Sequence, residues 1–407
     1  MNNAEQFSDL SKDLTSSIDK LEKKQHGIFF TPPTAVQMCI RSVFPYLAEN
    51  PNPNPTILEP SCGSCEFVTS LRKTFVDSYI TGVEYNDAIY DGIKHLGDSD
   101  PRTSIVHADF LTHTFSTSDP KYDLVIGNPP YFVMKKDAVS PCYLEYFDGR
   151  PNIFILFIIR SLSLLAPNGI LCFVLPKNFL NCIYYDKTRK YISNKFTIVD
   201  IFDTGGAYLE TQQDTVVLVV RNSQPEDPKL SKYIICIDRY TIFGTPTSIR
   251  ELTELMRETT TIDKLGFTAS VGKTVWNQHK ADLTDDPTET RLIYSSDIKD
   301  GVVGMEVYKN PAKKNYIRRL GGVGKVLLVN RGYGVGTYKF DFCLYDGAES
   351  YLVENHIMCI NGPDDGTFEK IVRSFKDPRT KKFIDVYFNN NAINTAELAH
   401  ILPIYTF

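Results

Sequence analysis

Along the first half of the chain, short apolar runs alternate with longer stretches in which apolar residues recur every three or four positions. The runs TILEP (56–60), YITGVE (79–84), SIVHAD (104–109), DLVIGN (123–128), ILCFVLP (170–176), TIVDIFD (197–203) and TVVLVV (215–220) read as strands. Helical spacing fills 64–75, 86–97, 152–166 and 178–193. Phe7, Leu10, Leu14, Ile18 and Leu21 predict one amphipathic helix over 7–21. Strands buried on both faces and separated by helices predict an α/β fold, a doubly wound, mostly parallel sheet of seven strands. The last two strands are joined only by TGGAYLETQQD (204–214), too short for a helical crossover. They should form an antiparallel hairpin at one edge.

The polar stretch NSQPEDPKLSK (222–232) marks the expected domain boundary, with one domain over 1–225 and a second over 226–407. Beyond it the periodicity weakens into short strands and Gly-rich turns, which predicts a mixed α+β domain. Composition changes little in this picture. Hydrophobic residues make up 42% and charged residues 23%, ordinary for a soluble globular protein. No apolar run approaches the ~18 residues of a membrane span, and the amino terminus lacks a secretory pattern. Nine scattered cysteines do not form a disulfide framework, so a soluble, intracellular protein is expected.

Candidate chemistry sits just after the strands, where ligands bind in open α/β sheets. Strand one runs into EPSCGSCEF (59–67), a small-residue turn that opens a helix and lets a ligand approach the backbone. Strand two ends on Glu84, an acceptor suited to a ribose diol. Strand three ends on Asp109 and Phe110, an acceptor and a ring cover for an adenine. Strand four ends on Asn128, Pro129, Pro130 and Tyr131, where two prolines stop the strand. In this tetrapeptide the Asn128 side-chain oxygen and the Pro129 carbonyl can accept the two hydrogens of an aromatic amine. Fixed acceptors of this kind stabilise the positive charge that develops as the amine attacks, while Tyr131 stacks on the base.

This set, GNPPY following EPSCGS, Glu84 and ADF, resembles the S-adenosylmethionine-dependent amino-methyltransferases. In particular it is similar to the gamma-class DNA adenine-N6 methyltransferases of restriction–modification type. The resemblance covers most of 27–221, including GIFFTPP (27–33), and implies a Rossmann-like class I methyltransferase domain followed by a target-recognition domain. It implies that Thr31, Glu59, Ser61, Cys62 and Gly63 line the methionine end of the cofactor. It also implies that Glu84 binds the ribose, that Asp109 and Phe110 bind the adenine, and that Phe157 and Asn128 complete the site. Tyr208, in the loop between the last two strands, takes the place of the family's second base-stacking aromatic. Cys65 departs from the family's third small residue, and a minor adjustment of the turn is expected.

The net charge of −5 argues against nucleic acid, but its distribution does not. Between 301 and 340 eight cations stand against the single acid Glu306, interleaved with tyrosines. With a DNA methyltransferase in view, Lys313, Lys314, Arg318, Arg319 and Arg331 become candidate phosphate contacts. In VWNQHK (275–280), Asn277 and Gln278 are candidate readers of adenine edges, with Lys280 beside them. The lone CxxC of Cys62 and Cys65 lacks a second pair at metal spacing, so no metal is expected. GFTASVGKT (266–274) has five residues between its glycines where a P-loop needs four. PDDGTFEK (363–370) lacks the spacing of a nuclease signature. The expected partner is double-stranded DNA, bound by a monomer with no membrane contact, which leaves room for a separate cognate restriction endonuclease. The alternatives that share NPPY are RNA, release-factor glutamine and DNA cytosine-N4 methyltransferases. An inactive DNA-specificity subunit is the alternative without catalysis.

Overall fold

A computed structural model describes residues 7–115, 121–205, 214–332, 338–388 and 392–405. The chain divides into two compact units, Met1–Cys236 with Tyr240–Ile249, and Ile237–Arg239 with Arg250–Phe407.

The first unit opens with α1 (Asp9–Ser17) and α2 (Lys20–His26) rather than one helix. Asp19 breaks the stretch because its carboxylate accepts from the Leu21 and Glu22 amides and so caps α2. Gly27, at φ 64°, ends α2 in the left-handed conformation, and α3 (Pro33–Ala48) begins on a proline at its first turn. There follow β1 (Thr56–Glu59), α4 (Glu66–Thr74), β2 (Tyr79–Glu84), α5 (Asp87–Ile93), α6 (His95–Asp98), β3 (Thr103–His107) and β4 (Tyr122–Gly127). After a loop with two short 3-10 turns come α7 (Ile153–Leu164), β5 (Leu165–Pro176), α8 (Asp186–Lys195), β6 (Thr197–Asp203) and β7 (Thr215–Arg221). The stretch expected to be helical from 178 begins as two 3-10 turns, and α8 starts only at Asp186.

The sheet order is β3-β2-β1-β4-β5-β7-β6. The first five strands pair in parallel, while β7 is antiparallel to both β5 and β6. The edge hairpin expected from the short 204–214 connection is therefore present. Alternation along β5 shows why the sheet is buried on both sides. Leu171, Phe173 and Leu175 join the core that holds α7, whereas Ile170, Cys172 and Val174 join the core that holds α3 and α4. A hairpin of Ile234–Ile237 and Tyr240–Phe243 completes the unit beyond the polar 222–232 stretch. The fully buried Arg189 of α8 holds it, with Nε donating to the Thr241 carbonyl at 2.5 Å.

In the second unit, the strands 268–271, 357–361, 326–330 and 342–345 form one antiparallel sheet. A second sheet joins 283–284, 316–317, 290–293 and 351–353. Helices Asp365–Lys376, Pro378–Tyr387 and Thr395–His400 follow, so the unit is mixed α+β. Asp364 of PDDGTFEK serves as the cap of the first of these helices, accepting from the Thr367 amide. A buried ion pair organises the 291–315 segment: Arg291 Nη2 donates to Asp297 Oδ2 at 2.8 Å, and Tyr308 donates to Asp297 Oδ1 at 2.7 Å. Among the described residues no helix is long and apolar enough to cross a membrane.

Candidate active site

The strand order reverses between β1 and β4, which pair directly through Ile57 with Leu124 and Leu58 with Val125. The turn after β1 and the loop after β4 are therefore neighbours at the carboxyl edge of the sheet. Ser61 Oγ donates to the Asn128 carbonyl at 3.3 Å. Beside them opens a cavity of about 560 Å³, a size suited to a nucleoside-bearing ligand.

Ser61, Gly63, Glu84, Asp109, Phe110, Asn128 and Phe157 all line this cavity. Glu84 Oε2 accepts from the Gly63 amide at 2.9 Å, and Oε1 accepts from the Asn86 amide at 2.8 Å. Burial raises the Glu84 pKa, opposed by those amides and that of Tyr85. The carboxylate still keeps a lone pair for a ligand hydroxyl. Asp109 Oδ1 accepts from the Leu111 amide, and the Phe110 and Phe157 rings lie 5.0 Å apart. Gly63 has φ 50°, and a Cβ there would come within 3.2 Å of the Phe30 ring. The turn is thus shaped for close backbone approach.

Three expected cofactor residues lie off the cavity wall. Thr31 is buried just before α3. Glu59 is buried under the turn, where its Oε2 accepts from the Val68 amide at 3.2 Å and ties α4 to β1. Burial first, then the neighbouring Cys65, pushes its pKa well up. Cys62 is buried against Gly82 of β2, and its hydrogen bond with Cys65, together with burial, pushes its thiol up. Cys65 itself takes φ 60° at the start of α4, a conformation that glycine adopts more easily.

Asn128 stands on the wall with its amide fixed at both ends. Nδ2 donates to the Phe29 carbonyl at 3.3 Å, and the Tyr131 hydroxyl bonds to Oδ1. That hydroxyl also lies 2.8 Å from the Val174 carbonyl. Pro129 is buried, and Pro130 rather than Pro129 reaches the wall. The Tyr131 ring packs edge-on against Phe154 and does not line the cavity. Tyr208 lies outside the described residues. Further lining comes from His26 and the strap Gly27–Phe30, from Tyr85 and Asn86, and from Phe132 and Met134. The strap lies inside the GIFFTPP segment, but sequence reasoning assigned none of these residues a role.

In the second unit, Asn277 and Gln278 are exposed on a 3-10 turn that begins with Trp276. Lys280 and Lys313 both lie over the Trp276 ring, at 5.9 and 5.7 Å, and Lys313 is also 4.1 Å from the Tyr294 ring centre. The Arg318 amide donates to the Asp282 carbonyl, and the Arg319 guanidinium contacts the His279 ring. These contacts join 276–282 and 313–319 into one patch. Lys314 differs, since Asp285 pairs with it at 2.6 Å. Arg331 is tied by its backbone to His356 and Ile393. Among the described residues no group of three or more His, Cys, Asp or Glu side chains gathers as a metal site.

Residues 32–209 match the family described as Eco57I restriction-modification methylase. The type II methyltransferase M.CvrRI of Paramecium bursaria Chlorella virus XZ-6E is 30% identical, over 98% of this chain and 99% of its own. The modification methylase CviBIII of Paramecium bursaria Chlorella virus NC1A is 27% identical, over 99% and 100%. A putative class I S-adenosylmethionine-dependent methyltransferase from Listeria monocytogenes aligns with a TM-score of 0.44 and 20% identity over 56% of this chain and 73% of that one. The acid at the end of β2, the ring pair and the open turn form a donor set that suits the nucleoside and amino-acid parts of S-adenosylmethionine. The chain belongs to the type II restriction–modification methyltransferases, with the class I fold and S-adenosylmethionine as cofactor.

Proposed function

We propose that the chain methylates N6 of an adenine within a short, specific sequence of double-stranded DNA. The observation that carries this reading is the place of Asn128, on the cavity wall at the head of the NPPY loop and beside the turn after β1. S-adenosylmethionine, when bound, supplies an electrophilic methyl group. The protein's part is to hold the amine. Its nitrogen is a weak nucleophile because its lone pair is delocalised into the ring. Asn128 Oδ1 and the Pro129 carbonyl accept the two amino hydrogens and stabilise the charge that grows on nitrogen. The surplus proton then leaves to solvent, so no strong general base is required.

The target nitrogen is out of reach inside a duplex, and the base is flipped out to be methylated. Tyr131 stacks on it once its hydroxyl has released Asn128, and Tyr208 flanks its other side. Thr31, Glu59 and Cys62 shape the cofactor turn from behind, and Glu84, Asp109, Phe110 and Phe157 bind the nucleoside. The first unit is the catalytic domain and the second is the target-recognition domain, with the 276–319 patch on the phosphates. The chain acts as a monomer beside a separate endonuclease.

Methylation of plasmid DNA in vitro, followed by single-molecule mapping of modified bases, tests this reading. N6-methyladenine confined to one short sequence is expected. N4-methylcytosine would overturn the choice of base, and no modified DNA would overturn the choice of substrate.

A further inference from the structure

Leu320 occupies an unusual position in the second unit. It is 96% exposed, yet it stands on a turn that is fastened on both sides. Before it, Ile317 is fully buried in a strand, and the Arg318 amide donates to the Asp282 carbonyl at 2.8 Å. After it, Gly322 and Tyr351 exchange two backbone hydrogen bonds, of 3.0 and 2.8 Å. Gly321 packs so closely that a Cβ there would stand 2.6 Å from the Tyr351 carbonyl and the Thr290 methyl group. The backbone that carries the leucine is therefore held in place, so binding need not order it.

A single exposed leucine needs no explanation. A fixed one with two arginines before it does. Neither Arg318 nor Arg319 pairs with a carboxylate among the described residues: Arg318 reaches the Thr284 hydroxyl, and Arg319 lies on His279. An apolar tip beside two guanidinium groups that form no carboxylate ion pair, although Arg318 acts at longer range on Asp286, fits a surface that is anionic at its rim and apolar inside. The stacked bases between two phosphate strands have that character, and proteins that deform DNA insert apolar side chains between base steps.

We propose that Leu320 is a wedge that enters the base stack of duplex DNA, with Arg318 and Arg319 on the flanking phosphates. This rests on the reading of the chain as a DNA methyltransferase and adds a role that the methyl-transfer chemistry does not require. The wedge unstacks one step, so the recognised sequence should favour an easily unstacked pyrimidine–purine step at that place.

The test uses the full chain and duplexes that carry its mapped methylation site, with a thymine placed at each flanking step in turn. Bound wild-type protein should make one thymine, other than the partner of the methylated adenine, reactive to permanganate. L320A should lose that reactivity and bind about tenfold more weakly, and L320F should restore both. Replacing Arg318 and Arg319 by alanine should weaken binding to all duplexes and flatten the salt dependence. An L320A variant that binds and unstacks as the wild type does overturns the wedge. So does one whose only change is in self-association by light scattering without DNA, which would assign Leu320 to a protein contact. Wild-type protein that methylates no DNA overturns the underlying reading instead.

Discussion

The Tyr131 hydroxyl bonds to the Asn128 side-chain oxygen, the atom proposed to accept from the target amine. A phenol has one proton, and a second acceptor, the Val174 carbonyl, lies 2.8 Å away. Tyr131 can therefore turn to Val174 when the amine arrives. The Asn128 amide stays oriented, because Nδ2 still donates to Phe29. Tyr131→Phe should keep the single-turnover methylation rate within about tenfold, the worth of one neutral hydrogen bond. Asn128→Ala should lower it by about 10²–10³ while cofactor affinity by calorimetry survives. A wild-type rate in Asn128→Ala would remove the proposed acceptor.

Gly27 connects the upstream strap to the same loop. Its φ is 64°, and a Cβ there would lie 2.7 Å from the Tyr131 backbone nitrogen. Gly27→Ala must strain the turn and push the NPPY loop aside. We expect a loss of about 1–3 kcal/mol in thermal denaturation and a slower methyl transfer. An unchanged melting temperature with a normal rate would show that the loop yields freely.

Glu84 gives the cofactor site a pH dependence. Its pKa is raised by burial, and the ionised carboxylate is the form that keeps a lone pair open to a ligand hydroxyl. Cofactor affinity should therefore weaken as pH falls through a point above the ordinary glutamate value of about 4.3. Glu84→Gln should bind about tenfold more weakly at neutral pH and show no such slope. Equilibrium titration across that range is the measurement.

Glu59 makes the opposite demand on the free protein. Its folded pKa lies well above its unfolded value, so over that interval the native state holds the proton more firmly. This contribution is complete below the ordinary glutamate range and is lost as pH rises through the folded pKa. Glu59→Gln keeps an oxygen for the Val68 amide and has no proton to lose. Its melting temperature should exceed that of the wild type increasingly as pH rises; a constant difference would exclude the linkage.

Legibility followed the length of the elements. The seven strands of the main sheet are four residues or longer and, at its centre, apolar on both faces, and a run of that kind needs no distant partner to be seen. The break between α1 and α2 was hidden because Leu14, Ile18 and Leu21 keep helical spacing across it. Only the Asp19 side chain, competing for backbone amides, cuts the helix. In the second unit, strands such as 283–284, 290–293 and 316–317 owe their existence to pairing across the sheet, which leaves little trace in local spacing. The cavity was legible where a residue ends a strand, as at Glu84 and Asp109. It was illegible at Phe29 and Phe132, whose roles depend on how loops fold over it.

The buried pair Arg291–Asp297 offers a test confined to the second unit. Removing one partner leaves the other charge uncompensated, a loss of about 3–5 kcal/mol. Asp297→Asn should lower the stability of this unit and weaken DNA binding, while cofactor titration stays normal. Equal stability in urea would show that Tyr308 and Asn315 hold the segment without the charge.

Arg189 has a consequence for building chimeras. The residue is fully buried in α8, and its guanidinium holds the carbonyl of Thr241, while the Thr241 amide donates to Asp186 of the same helix. A splice in the polar stretch 222–232 would sever this clasp and take the Thr241 carbonyl from the buried Nε, while Nη1 still donates to the Phe179 and Cys182 carbonyls. A second unit taken from a relative should instead be joined after Ile249, where the first unit ends, so that the 234–243 hairpin stays with α8.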